Sequence, residues 1–459
     1  MHDLEKFFSP QSIAVIGASR TPGKIGYTIL ENLKVTFQGK LYPINPNADE
    51  ILGLAAFPSV LEVPEPIDLA VVSVPAEKVK SIIEECKKKK IRSCIIISSG
   101  FSEIGDKEAE LELRQISKGS MRIIGPNTLG VFAPTKLDTL FLQRERLKRP
   151  SKGNIGFITQ SGAVGSALID SLSLEGVGLA KFISLGNKVD INELDCLEYM
   201  ENDVEIRCIS IYLESITDGR RLIELGKKVS KKKPVVILKA GKSEAGNRAV
   251  ASHTGALAGP YAIASAAMRQ AGFIEVESSE ELFDASKALA DQPILKDKKI
   301  AIITDGGGFG ILAADAATKL GLELPELSDH AKKVLKNLLP KYASIANPID
   351  LTGDATSERY KKTLDAVFKD GNIAGVVLVV LLQIPTLDDN VLTVIRDCKI
   401  YGKPFTVCMM GSQWTQERTR KLQEFGVPVY PTPERAVKAM HALYRYGQYL
   451  KENTTTSKK

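Results

Sequence analysis

Four histidines occur in 459 residues, and only one falls where chemistry is easier to argue than packing. His253 lies in GNRAVASHTGALAG, a stretch of small residues after the apolar run PVVILKA, with little to bury an imidazole ring. His330 and His441 fall in helical patterns, where a packed or solvated ring is the default, and His2 sits at the terminus. A loop histidine can carry a transferable group when one ring nitrogen attacks and the other is held by an acceptor. Glu214, closing the run RCISIYLE, is the candidate acceptor, because open α/β sheets gather their ligands at the carboxyl edge. A solvated strand-end carboxylate is the competing reading, and the residue types leave both open.

Anion-binding potential recurs at three junctions. SIAVIGAS, NIGFITQSG and KIAIITDGGG each run from an apolar strand through a small or Gly-rich turn into a helix. Such turns leave backbone N–H groups at a helix N-terminus, where the dipole favours anions, although glycine also serves there simply to let helix and strand pack. The first turn, Gly17 to Gly26, departs from the GxGxxG dinucleotide pattern. The next strand, KLYPINPNA, ends in Asn45-Pro46 with no carboxylate for a ribose, and Arg20, Lys24 and Lys40 are expected near the same edge. Coenzyme A fits that chemistry better than NAD. Gly241-Lys242-Ser243 imitates the end of a Walker A loop, but Val236 stands where that motif needs glycine. Any nucleotide is therefore expected on a different polypeptide.

These residues need sheets to position them. Short β-branched runs alternate with helical patterns throughout, as in βα units that build parallel sheets. The fold class expected is α/β with three doubly wound domains, one Rossmann-like and CoA-binding and two flavodoxin-like. Strands KLYPIN, DLAVVSV, SCIIISSG and MRIIG complete the first domain, over residues 1–130. Residues 131–150 gather charge and proline and read as a connector. LAKFISL, RCISIYLES, PVVILKA and FIEVES belong to the second domain, residues 151–292. GVVLVVLL, PFTVCMMG and VPVYPT belong to the third, residues 293–450, and the polar tail 451–459 reads as disordered.

Composition excludes several classes. The net charge of +6, from 61 basic and 55 acidic residues, gives no warrant for nucleic-acid binding. The lysine clusters at 87–90 and 231–233 precede apolar runs and read as solvated helix ends. Val376 to Leu382, the longest apolar run, is far shorter than the roughly 20 residues that span a bilayer. The start MHDLEKFF lacks the basic and apolar regions of a signal peptide, so a soluble cytoplasmic chain is expected. Six cysteines without CxxC spacing read as reduced core thiols, with no metal site on the chain.

In order along the chain run GASRTPGKIG, YPINPNA, VVSVPAE, IISSGFSEIG, IGPNTLGV, ITQSGAVGS, SLGNKVDINELD, YLES, KAGKSEAGNRAVASHTGALAG, TDGGGFGILAADA and NPIDLTGDA. Together they resemble the alpha subunits of ADP-forming acetyl-CoA synthetases, relatives of the succinyl-CoA synthetases. The resemblance implies reversible conversion of acyl-CoA, ADP and phosphate into acid, ATP and CoA, through acyl phosphate and phosphohistidine. It implies a CoA site formed by Gly17, Ser19, Lys24, Gly26, Asn45, Val74, Pro75, Ser99 and Gly100. It implies His253 as the phosphorylated residue, Glu214 as its orienting partner, and Asn127 near the acyl group. The turn at Ser161-Gly162 and the turn at Gly306, Gly307 and Gly308 would grip the phosphoryl group. No segment resembles an ATP-grasp region, so the resemblance implies a separate beta subunit carrying Mg and ADP or ATP, in an α2β2 assembly. Two other classes stay open. A CoA-binding regulatory or scaffold subunit would leave His253 idle, and a Rossmann dehydrogenase would need the nicotinamide site that Asn45 argues against.

Overall fold

The computed structural model describes residues 3–254 and 260–456, and the side chains of residues 252–254 and 454–456 lie outside that description. The chain forms two compact units, one of residues 1–174 and 178–275, the other of residues 175–177 and 276–459.

The first unit holds two doubly wound sheets. In one, the strands lie in the order Lys40–Ile44, Ser12–Ile16, Leu69–Val72, Ser93–Ile96 and Arg122–Ile124, all parallel. In the other the order is Ile274–Glu275, Val235–Lys239, Cys208–Leu213, Lys152–Thr159 and Leu179–Ser184, again parallel. Helices on both faces bury strands such as Ser12–Ile16 along their whole length, which is why these segments read as unbroken apolar runs. In both sheets the first strand lies between the second and the third, so chain direction reverses across a switch point beside the first strand.

Residues 131–150 are not the slack connector expected. Val131–Ala133 pairs antiparallel with Leu179–Ser184, and Leu137–Asp138 pairs antiparallel with Val131–Ala133, extending the second sheet by two strands. Val131 and Leu137 join one apolar core that runs from Val15 of the first sheet and Ile29 of the helix Ile25–Thr36 to Ile158 and Ile183 of the second sheet. Asn32 donates to the carbonyls of Leu140 and Leu142 at 2.7 and 3.1 Å. The segment is thus tied to both sheets.

The second unit repeats the plan, with parallel strands in the order Ile349–Asp350, Ile300–Thr304, Gly375–Val380, Phe405–Met409 and Val429–Tyr430. The tail expected to be disordered instead continues the helix Pro433–Thr456, and residues 457–459 lie outside the described residues. All six cysteines are buried thiols. No helix among the described residues is long and apolar enough to cross a membrane.

Candidate functional site

At the end of Ser12–Ile16 the backbone enters Gly17 with φ +88°, a conformation that glycine alone adopts readily. A Cβ there would lie 2.7 Å from the Ser73 carbonyl oxygen. The Thr21 amide donates to Ser19 Oγ at 3.1 Å, and the chain enters the helix Ile25–Thr36 at Lys24. That helix has no acidic residue in its first turn and no side-chain cap from Lys24, so its positive end is left for an external anion. Asn45 acts on this turn from behind. Its Nδ2 donates to the Ala18 carbonyl at 2.7 Å and its Oδ1 accepts from the Asn47 amide at 2.8 Å. Lys40, expected near this edge, instead begins its strand at the opposite edge and pairs with Glu65.

A cleft of 850 Å³ opens over the turn, within the usual size of ligand sites. Gly17, Ser19, Lys24 and Gly26 line it from the turn, and Val74, Pro75 and Ser99 from the loops after the third and fourth strands. The second sheet contributes Ser161, Gly162 and Glu214, and Asn127 lies between the two sheets. Asn45 and Gly100 do not line the cleft. The Gly100 amide donates to Glu103 Oε1 at 2.5 Å, and Asn187 Nδ2 donates to Glu103 Oε2 at 2.6 Å. Burial disfavours the charged Glu103, but these bonds outweigh it and hold the carboxyl below the ordinary range.

Glu214 follows the strand Cys208–Leu213 and is buried. Gln160 Oε1 accepts from the amides of Glu214 and Ser215, each at 3.0 Å. This fixes the backbone of the turn that carries Glu214 at the end of its strand. Lys239, beside it on the neighbouring strand, is pulled below the usual lysine range by burial and by Lys188, with Glu214 acting the other way. Burial and the Glu214 charge push the Tyr212 phenol up to about 12. Ser161 Oγ accepts from the Val164 amide at 3.3 Å, capping the helix Gly162–Glu175, whose first turn has no acidic residue. Asn127, at φ +58°, donates from Nδ2 to Asn187 Oδ1 at 3.3 Å.

His253 falls on the helix Glu244–Thr254 rather than in a loop, because alanine and polar residues in that stretch support helix as well as they permit turns. Its side chain lies outside the described residues. The helix passes the 3-10 turn Ser102–Ile104, which carries Glu103.

In the second unit, Gly306 precedes the helix Gly307–Lys319 with no side-chain cap, and a Cβ on Gly308 would meet nothing within 4 Å. Two carboxylates stand at this turn. Asp305, 2 % exposed, accepts from the Leu381 amide at 2.9 and 3.2 Å. Asp350 Oδ2 lies 2.7 Å from where a Gly307 Cβ would be. Burial raises the Asp305 carboxyl to about 6, against the bonds from Leu381 and Tyr360.

Sequence reasoning missed Gln160, Asn187 and Lys188. Each is a polar residue at the carboxyl end of an apolar strand or in the loop beyond it, and that position was the available signal. Phe141 and Leu142, which also line the cleft, gave no signal, since they belong to the supposed connector.

Comparison with known proteins follows the same division. Residues 11–134 match the family described as CoA binding domain, residues 152–289 the succinyl-CoA ligase like flavodoxin domain, and residues 300–452 the ligase-CoA domain. The alpha subunit of acetate–CoA ligase (ADP-forming) I from Pyrococcus furiosus is 41 % identical, covering 97 % of this chain and 98 % of that one. The chain belongs to this alpha-subunit family. An acetate–CoA ligase (ADP-forming) from Methanocaldococcus jannaschii, also 41 % identical, is longer, and the match covers 97 % of this chain but 64 % of that protein. Among solved structures, the dinucleotide forming acetyl-coenzyme A synthetase 1 of Ca. Korarchaeum cryptofilum, in complex with phosphate and ADP, superposes with a TM-score of 0.91. It shares 39 % identity over 99 % of each chain. Family membership accounts for the shared α/β plan of parallel sheets and for the CoA-binding segment.

Proposed function

We propose that this chain is the alpha subunit of an ADP-forming acyl-CoA synthetase that converts acyl-CoA, ADP and phosphate reversibly into acid, ATP and CoA. One observation carries the reading. A single cleft is lined by the Gly17–Gly26 turn, Asn127, the Ser161-Gly162 helix start and Glu214, so a CoA-type anion site and a candidate phosphoryl site share one space. In this reading residues 1–130 hold CoA. Residues 151–292 carry the phosphohistidine, and residues 293–450 carry a further helix N-terminus suited to anions at Gly306, Gly307 and Gly308.

The chemistry balances in three steps. Phosphate attacks the thioester carbonyl, the C–S bond breaks, and CoA leaves as thiolate while acyl phosphate forms. Backbone donors at the Ser161-Gly162 helix start stabilise the developing negative charge. His253 then attacks the phosphorus of the acyl phosphate, and the carboxylate product leaves. Glu214 accepts the N–H of the ring and stabilises the positive charge that develops on it. ADP finally takes the phosphoryl group from phosphohistidine. We assign that step to a partner subunit of ATP-grasp type that holds the nucleotide and magnesium in an α2β2 assembly.

Incubating the chain with labelled phosphate and acetyl-CoA tests the reading. Acid-labile label should appear on the unaltered chain and be absent from His253→Ala. Label on the variant removes His253 from the path. A chain that binds CoA yet never takes label is the CoA-binding scaffold instead.

A further inference from the structure

Beneath Glu214 lies an ion pair that the chemistry above does not use. Lys188 and Glu193 are 3.0 Å apart, with side chains 6 % and 0 % exposed. Burying such a pair costs desolvation that an apolar pair would avoid. Lys188 also sits at φ +61°, where a residue with a Cβ is strained. Its ammonium donates to the Ser215 carbonyl at 2.9 Å and to Ser215 Oγ at 3.2 Å. Glu193 in turn accepts from the Thr217 amide at 3.0 Å. The turn after Glu214 is therefore held by Gln160 on one side and by the Lys188–Glu193 pair on the other. The adjoining residues of the same loop reach the rest of the cleft. A Cβ on Gly186 would lie 2.2 Å from the Pro126 carbonyl oxygen, and Asn187 bonds Asn127.

We propose that Lys188 is a positioning residue for phosphoryl transfer, fixing through Ser215 the orientation in which Glu214 meets its partner. The inference rests on the role given to Glu214 above. A strut serving stability alone would be replaceable by an uncharged pair, whereas a positioning lysine would not.

The test uses the full chain, labelled phosphate and acetyl-CoA, and reads the rate of acid-labile labelling together with KM for acetyl-CoA. Lys188→Met with Glu193→Gln removes both charges at once and leaves no buried charge uncompensated. The expected result is a labelling rate lower by about tenfold, in the range seen when a support of a reacting group is lost, with KM unchanged. On a Glu214→Gln background the same pair of changes should slow labelling less than about twofold further, since both act through one carboxylate. Ser215→Ala keeps the ion pair and the Lys188 bond to the Ser215 carbonyl, and removes the hydroxyl that Lys188 and Gln160 Nε2 both donate to, at 3.2 and 3.1 Å. It should slow labelling about threefold, which keeps the test open should the double variant fail to fold. Unaltered labelling in both the double variant and Ser215→Ala, with Glu214→Gln slow, overturns the inference and spares the Glu214 reading. Unaltered labelling in Glu214→Gln, or no label on the unaltered chain, overturns that reading and this inference with it.

Discussion

Gly26 packs so closely on Gly17 that a Cβ at Gly26 would lie 2.0 Å from the Gly17 carbonyl oxygen. Two backbones meet where the cleft needs an open helix end, so the contact cannot relax by moving a side chain. Gly26→Ala must push the turn apart. It should lower CoA affinity by at least about tenfold in calorimetry, equivalent to ~1.4 kcal/mol. Gly23→Ala is the matched control. Gly23 has φ +82°, but a Cβ there meets nothing within 4 Å. That change should cost about 1 kcal/mol of backbone strain and leave CoA affinity nearly unchanged. Equal losses in the two variants would mean that backbone strain, not close approach, shapes the site.

Asp305 makes the second unit pH-sensitive in a definite direction. Its folded carboxyl titrates at about 6, above the ~3.9 of an unfolded aspartate. Between those values the folded chain holds a proton that the unfolded chain has released. Stability from this group is therefore full below about pH 4 and declines as pH rises to about 6, by at most ~3 kcal/mol in total. Tyr360 and Asp350 are the ionisable neighbours, and neither reverses the sign. Asp305→Asn keeps an acceptor for the Leu381 amide without the charge. The variant should gain on the unaltered protein as urea unfolding is repeated from pH 4 to pH 7. Parallel curves would show that Asp305 ionises as freely in the fold as in the unfolded chain.

Much of this architecture is legible in the residue types. Runs such as GVVLVVLL are buried on both faces and carry their own signature. The supposed connector hides its strands because Val131–Ala133 and Leu137–Asp138 have three and two residues. Those lengths are too short for any period to emerge. At the site, glycines in turns and a carboxylate ending a strand can be read directly. What escapes is support: Asn45 reads as a ligand contact because its position resembles one, yet its Nδ2 braces the turn at Ala18 while its Oδ1 accepts from Asn47 in its own loop. Such partners are set by tertiary approach, which spacing along a chain does not encode.

The connector's anchoring has a measurable cost. Asp138 is fully buried and accepts from Arg144 at 2.7 Å and Arg149 at 2.9 Å. Arg149, itself 4 % exposed in its side chain, donates to the Leu142 carbonyl at 2.8 Å, beside the cleft. Asp138→Ala strands a buried guanidinium and should destabilise the first unit by about 3–5 kcal/mol, seen as a lower urea midpoint. Because Leu142 lines the cleft, CoA affinity measured where the variant is still folded should fall as well. A midpoint within error of the unaltered protein would mean that the segment is a tether after all.

The last expectation concerns the nucleotide. The only Walker-like residues, Gly241-Lys242-Ser243, follow the strand Val235–Lys239, and the position where the motif needs its first glycine is the buried strand residue Val236. A phosphate-wrapping loop cannot form where the backbone is committed to a sheet. The described part of the chain therefore offers helix starts suited to anions, but no Walker loop to hold ADP. Phosphohistidine should form from the acyl-CoA side without nucleotide, while ATP should appear only when a nucleotide-binding subunit is added. A partner that must receive the phosphoryl group in every turnover needs a lasting interface, typically above ~2,000 Å², and so should co-purify. The deciding assay mixes the purified chain with acetyl-CoA, phosphate, ADP and magnesium, and measures ATP before and after the partner is supplied. Sustained ATP synthesis by the chain alone, with a contaminating subunit excluded by mass spectrometry, would place a nucleotide site on this polypeptide and undo the division of labour.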